Sequence, residues 1–175
     1  MKRAVTAVII VVFTGLLFFS SCKKDVVEVL DFSKYTSTDN DCSITGPIDS
    51  TAWKNDVLNR TRDTARLIFS DDLFVTDSMA GTITLNPPCP NPSDGLFIWN
   101  INTTRQCKLK VVCINLSNEV IYYNAYRLVG GKMTVGFNFK GNSAFKAGNN
   151  YRLYFAFYTA TDSLYYSGHG DFRIE

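Results

Sequence analysis

A chain of 175 residues with 18 Lys and Arg against 16 Asp and Glu carries a formal charge of +2, and Lys2 and Arg3 account for all of that excess. The remainder is balanced at 16 of each sign, which removes any electrostatic reason to expect nucleic acid as a partner. Thirteen Phe, nine Tyr and few long charged runs exclude a disordered chain and favour one β-rich domain.

The first predicted element is Met-Lys-Arg, an uncharged apolar run of 16 residues over 4–19, then Ser20-Ser21-Cys22. A basic start, an apolar stretch and small residues at its end are the parts of a secretory signal peptide. The run falls short of the roughly 20 apolar residues that span a bilayer. Phe19-Ser20-Ser21-Cys22 resembles the cleavage site of a bacterial lipoprotein, and Ser21-Cys22-Lys23-Lys24-Asp25 is similar to that region in many Bacteroidota lipoproteins. The resemblance implies removal of residues 1–21 and lipid, palmitate included, on the Cys22 thiol. It also implies a place in the cell envelope at the outer membrane, with the bilayer as a partner through that lipid.

Residues 22–49 are polar, carry several turn formers, and read as a tether. Within them Asp39-Asn40-Asp41 lacks the glycine and distal glutamate of a calcium loop, so a solvated acidic turn is expected. Residues 50–88 lead into the domain. Ser50 or Thr51 can cap a short helix with Trp53, Val57 and Leu58 on one side. Short strands are expected at 65–69 and 73–76, and a half-buried strand at 81–85 that ends at Asn86-Pro87-Pro88.

From Cys89 the turn signals become regular. Strands are expected at 96–101, 108–116, 120–128, 133–140, 151–159, 164–167 and 171–174, divided by Gly, Asn and Ser turns. The fold class is all-β: an antiparallel immunoglobulin-like β-sandwich over 89–175, preceded by the tether. On 108–116, Leu109, Val111 and Cys113 share one face. On 151–159, Leu153, Phe155 and Phe157 share one face, and Arg152, Tyr154 and Tyr158 the other.

Four cysteines follow Cys22, namely Cys42, Cys89, Cys107 and Cys113, at spacings of 47, 18 and 6. These match no usual zinc pattern, and with a single histidine neither a metal nor a cofactor is expected. An exported chain can keep a disulfide, and the sequence leaves its partners open.

No residue set nominates a reaction, so the chain reads as a non-enzyme. A Ser-His-Asp arrangement would have to draw on the lone His169, with Asp171 and Ser163 or Ser167, and there is no Gly-x-Ser-x-Gly elbow. Glu28, Glu119 and Glu175 are isolated, so no carboxylate pair is evident. The binding hint lies in Arg152, Tyr154 and Tyr158: tyrosines beside a cation suit a sugar ring or a peptide. The same tyrosines can instead be cross-strand pairs that stiffen the sheet. A glycan or an envelope protein is therefore the expected partner class, and an envelope component that binds or scaffolds is the expected role.

Pro90-Asn91-Pro92-Ser93-Asp94-Gly95 cannot continue a sheet and turns the chain into Leu96-Phe97-Ile98. This opening resembles the C-terminal sorting domains of the type IX secretion system. Their usual Tyr-Pro-Asn-Pro start, "Lys-Leu-x-Val" strand and late "Gly-x-Tyr" strand have counterparts in Pro90-Asn91-Pro92, Lys108-Leu109-Lys110-Val111 and Gly148-Asn149-Asn150-Tyr151. The resemblance covers residues 89–175 and implies a β-sandwich, either as the body of a lipoprotein or as a secretion signal. Cys89 departs from the usual aromatic, and the acidic end at Glu175 departs from the usual basic strand. The chain also resembles O-glycosylated exported proteins of Bacteroidota at Asp-Ser and Asp-Thr followed by a small or apolar residue. That resemblance implies glycosylation at Ser50, Thr64, Ser78 and Ser163, where ordinary turns are the alternative.

Overall fold

The computed structural model describes residues 30–56 and 63–175. The signal-like segment, Cys22, and the Val57 and Leu58 of the expected helix lie outside the described residues. Elements follow in the order α1 (Asp63–Arg66), β1 (Ile83–Leu85), β2 (Leu96–Thr103), β3 (Cys107–Ile114), β4 (Val120–Leu128), β5 (Gly131–Asn138), β6 (Asn150–Tyr158) and β7 (Leu164–Arg173). Every strand pairing is antiparallel, in one sheet of order β1-β2-β5 and a second of order β4-β3-β6-β7. The result is an all-β, immunoglobulin-like sandwich in which β4 pairs with β3 instead of joining the sheet of β5.

Alternation builds the core. Leu109, Val111 and Cys113 of β3 and Leu153, Phe155 and Phe157 of β6 are fully buried. They pack against Phe97, Trp99 and Ile101 of β2 and Val135 and Phe137 of β5. Aromatic rings knit the two sheets together: Trp99 sits 5.0 Å from Phe155, and Phe97 4.8 Å from Phe172. Each such side chain, once buried, contributes roughly 1.5–3 kcal/mol of transfer free energy.

The region before Cys89 departs from its sequence reading. Residues 50–54 form a turn, not a helix: Asp49 Oδ1 accepts from the Thr51 N–H at 2.8 Å and its hydroxyl at 2.6 Å, and Trp53 takes a φ of 56°. The expected strands at 65–69 and 73–76 are absent. Asp63–Arg66 is a helical turn instead, and Leu67 buries itself on the outside of the four-stranded sheet. Residues 31–49 are not a free tether. Phe32, Thr36 and Thr38 are buried, and Cys42 is disulfide-bonded to Cys89. The domain therefore takes in described residues well before Cys89, and a boundary at Cys89 would cut through it.

The two short strands expected at the C-terminus are one strand, β7, continuous through Gly168-His169-Gly170. The two glycines make room there. A Cβ on Gly170 would run into the Trp53 ring, and one on Gly168 into the Lys54 carbonyl and the Phe155 ring. Trp53 plugs the seam between the sheets, edge-on to Trp99 and stacked on Phe155. Its backbone N–H donates to His169 O, and the Asp56 N–H donates to Ser167 O, both at 2.8 Å.

Candidate functional site

Arg152, Tyr154 and Tyr158 do share the outer face of β6, as alternation requires, but that face is covered. Tyr154 is 2% exposed and Arg152 9%. Phe32, Leu67 and Phe69 pack over Val112, Ile114, Tyr154 and Tyr158. Arg152 lies over the Phe32 ring at 5.0 Å and Arg66 over Tyr154 at 5.7 Å. Arg152 and Tyr154 are thus internal packing, while Tyr158 is half-buried with the Lys110 ammonium 5.5 Å from its ring. The covering residues are Phe32, single among polar neighbours, and Leu67 and Phe69 of a short apolar run that reads in sequence as a strand.

Arg152 and Asp171 stand directly opposite each other on β6 and β7. Arg152 Nε and Nη2 donate to Asp171 Oδ1 and Oδ2, each at 2.7 Å, and Nη2 also donates to the Asp31 carbonyl at 2.9 Å. Burial raises the Asp171 carboxyl to about 6 against the pull of Arg152, so it is ionised and paired at neutral pH. A fork-to-fork pair of this kind fixes geometry and uses up both partners.

Asn91 supports the same corner from the Pro-Asn-Pro turn. It is fully buried. Its Nδ2 donates to Thr36 O at 2.9 Å and Asp171 O at 3.2 Å, and its Oδ1 accepts from the Arg173 N–H at 3.0 Å. Backbone bonds with Thr38 complete the tie. The turn that leads into β2 is therefore a buried junction of three chain segments. Asn between two prolines is a signal of a turn and of the start of the sandwich, and neither tells that Asn91 is buried.

The catalytic arrangement considered for His169 does not form. His169 lies mid-strand, not in a turn, and burial followed by Arg152 lowers its pKa below the ordinary histidine value. Its Nδ1 is 3.9 Å from Asp56 Oδ2, Asp171 is held by Arg152, and Ser167 Oγ donates to Asp56 O at 2.9 Å. Among the described residues no cluster of three or more His, Cys, Asp or Glu could hold a metal. Asp39 Oδ1 accepts from the Asp41 and Ser43 amides, so the acidic triplet forms a turn that satisfies itself. Cys107 and Cys113 are free and buried, and burial raises both thiols.

The outer face of the three-stranded sheet is different. Leu96 and Ile98 are exposed on it, and Ile98 stands opposite Gly136. Nothing lies within 4 Å of where a Gly136 Cβ would sit, so the missing side chain leaves an apolar hollow of about 560 Å³ edged by Asn40 and Asn138. Along the same strands, Thr84, Asn86, Asn100, Asn102, Lys132 and Thr134 line a second, polar hollow of about 400 Å³. Sequence reasoning missed this face, whose signal is the polar alternation of Asn100 and Asn102 on β2.

Of the four predicted glycosylation positions, Ser50, Ser78 and Ser163 are exposed and Thr64 is half-buried. Ser78 and Ser163 come to one end of the sandwich, where the Ala160 N–H donates to Asp77 O at 2.9 Å. No helix among the described residues is long and apolar enough to cross a membrane. No protein-family model matches the chain, and no curated protein sequence does.

Proposed function

We propose that the protein is a lipid-anchored, exported envelope component whose sandwich binds or scaffolds without catalysing a reaction. The observation that carries this reading is the Cys42–Cys89 disulfide, a bond suited to an oxidising compartment outside the cytosol. It agrees with a signal-like start ending at Cys22. Between Cys22 and the buried Phe32 the chain can extend at most about 35 Å, so lipid on Cys22 keeps the domain close to the bilayer.

In this reading Asp171 serves to hold Arg152, and Ser167 to hold the Asp56 carbonyl. The outer face of β1-β2-β5 is the binding surface in this reading. It offers an apolar hollow beside neutral amides and hydroxyls, a mixture suited to a glycan or to an extended segment of an envelope protein. The likeness of residues 89–175 to a type IX sorting domain is read as a shared fold. Cys89 and Asn91 are tied to residues 36–42, and Trp53 and β1 complete the sandwich from outside that range. A detachable signal would not need them.

Metabolic labelling with palmitate tests the anchor. The wild-type chain should take the label and stay with membranes, and Cys22→Ala should lose both. Undiminished label on Cys22→Ala would sink the reading.

A further inference from the structure

An exposed apolar patch lies on the face from which the N-terminal segment leaves the fold. Leu67 and Phe69 pack on the four-stranded sheet, so Ile68 between them turns outward and is 76% exposed. Arg66 Nη2 donates to Asn118 Oδ1 at 2.7 Å, which sets residues 66–69 beside the turn between β3 and β4. Leu116 and Val120, at the two ends of that turn, are exposed. Val120 pairs with Ile114 and Tyr123 with Val112, and both partners belong to the outer cluster. Val120 and Tyr123 therefore stand on the outer face too, and the Tyr123 ring lies 5.1 Å from that of Phe69. The charged residues of these two segments are occupied: Arg66 by Asp63 and Asn118, and Glu119 by the Asn115 amide.

Phe32 lies in the same outer cluster as Leu67, and Leu30 packs against it. The chain toward Cys22 thus leaves beside the patch, and the eight residue steps from Leu30 back to Cys22 reach at most roughly 28 Å.

We propose that this corner rests on the bilayer surface, with Ile68, Leu116 and Val120 in the interfacial zone and the Tyr123 hydroxyl at headgroup level. The contact presupposes the anchor proposed above. Apolar side chains gathered at an exposed site mark a contact surface, and lipid on Cys22 holds this one within a tether's length of a membrane. Aliphatic side chains gain by leaving water for the acyl boundary, and tyrosine, apolar in its ring and polar at its tip, favours the headgroup level. The outer faces of a two-sheet sandwich point in opposite directions. The hollows on β1-β2-β5 then look away from the bilayer, open to a ligand.

Fluorescence from the full chain, purified from membranes and reconstituted in phosphatidylcholine vesicles, tests the contact. Ile68→Cys and Val120→Cys carry a polarity-sensitive fluorophore, Thr134→Cys, exposed on the opposite sheet, is the reference, and the wild type gives the background label. With nitroxide-bearing phosphatidylcholine in the vesicles, the labels at 68 and 120 should shift to the blue and lose most of their emission. The label at 134 should do neither. Unquenched labels at 68 and 120, or equal quenching at all three positions, would overturn the contact. Blue-shifted labels that the nitroxide lipid leaves bright would overturn it in favour of a second copy of the chain. Ile68→Asp with Val120→Asp should abolish quenching of a label on Leu116→Cys, and undiminished quenching would also overturn it. Palmitate labelling separates the two readings. Palmitate with an unquenched label at 68 removes the contact and leaves the anchor; quenching without palmitate removes the anchor and leaves the contact; neither signal removes both.

Discussion

The two outer faces of this sandwich obey the same alternation and meet opposite fates. On the four-stranded sheet, Phe32, Leu67 and Phe69 form a second apolar cluster over β3 and β6. On the three-stranded sheet, Leu96 and Ile98 remain exposed beside an open hollow. Period-two alternation tells which side of a strand a residue occupies. Whether that side meets water is decided by segments far away in the chain.

The largest test of the difference is Trp53→Ala. If residues before Cys89 are integral to the fold, removing this plug should cost about 3–5 kcal/mol in urea or thermal unfolding. Gly170→Ala should be similarly harmful alone and much less so once Trp53 is alanine, because the added Cβ meets the indole ring. A Trp53→Ala loss below about 1 kcal/mol, the size of an ordinary surface change, would reduce the segment to a loose strap.

Opening the Cys42–Cys89 bond by Cys42→Ser with Cys89→Ser should cost about 2–4 kcal/mol. The reducing agent that breaks the wild-type disulfide should leave the double variant's melting temperature unchanged. Sensitivity of that variant to reductant would argue for a different pairing.

Acid unfolding sharpens the comparison at Asp71, which bridges Lys108 at 3.4 Å and Lys110 at 2.9 Å on the covered face. Burial alone would raise its carboxyl. Lys110, the Leu73 amide and Lys108 outweigh that and hold it below 3.8. With the folded value depressed, the unfolded chain binds more protons on the acid side. The stabilisation is present above about pH 4 and is lost as pH falls through the depressed value. Asp71→Asn should flatten the stability profile in that window, and an unaltered slope would contradict the bridge.

The smallest effect belongs to the bare face. Thr134 Oγ donates to Asn100 Oδ1 at 2.8 Å in an exposed position, and Thr134→Ala should stay within about 0.5 kcal/mol of the wild type. A cost several times larger would mean that this face, too, is structural.

The sandwich itself was legible because its signals are local. Strands β2 to β6 are short runs rich in apolar and aromatic residues, and Gly130-Gly131 and Ser117-Asn118-Glu119 punctuate them. Leu109, Val111 and Cys113 face inward as alternation demands. The cover was not legible. Phe32 is a single apolar residue among polar neighbours, Leu67 belongs to a run that reads as a strand, and Phe32 finds Arg152 and Tyr154 about 120 positions later in the chain. The platform of Arg152, Tyr154 and Tyr158 was placed on the correct face for that reason, yet its burial was missed. Four cysteines permit three pairings, so only the packing of residue 42 beside 89 could choose one. Gly168 and Gly170 looked like turn residues because glycine usually is one; here each gives way to a neighbour from residues 53–54.

Tyrosine modification of the folded chain tests the covered face most directly. Tyr123 and Tyr154 lie on the same sheet, 63% and 2% exposed. Under brief nitration read by peptide mass, Tyr123 should be modified while Tyr154 stays unmodified until the protein is unfolded. Nitration of Tyr154 at the rate of Tyr123 in the folded state would mean that Phe32, Leu67 and Phe69 do not cover the sheet.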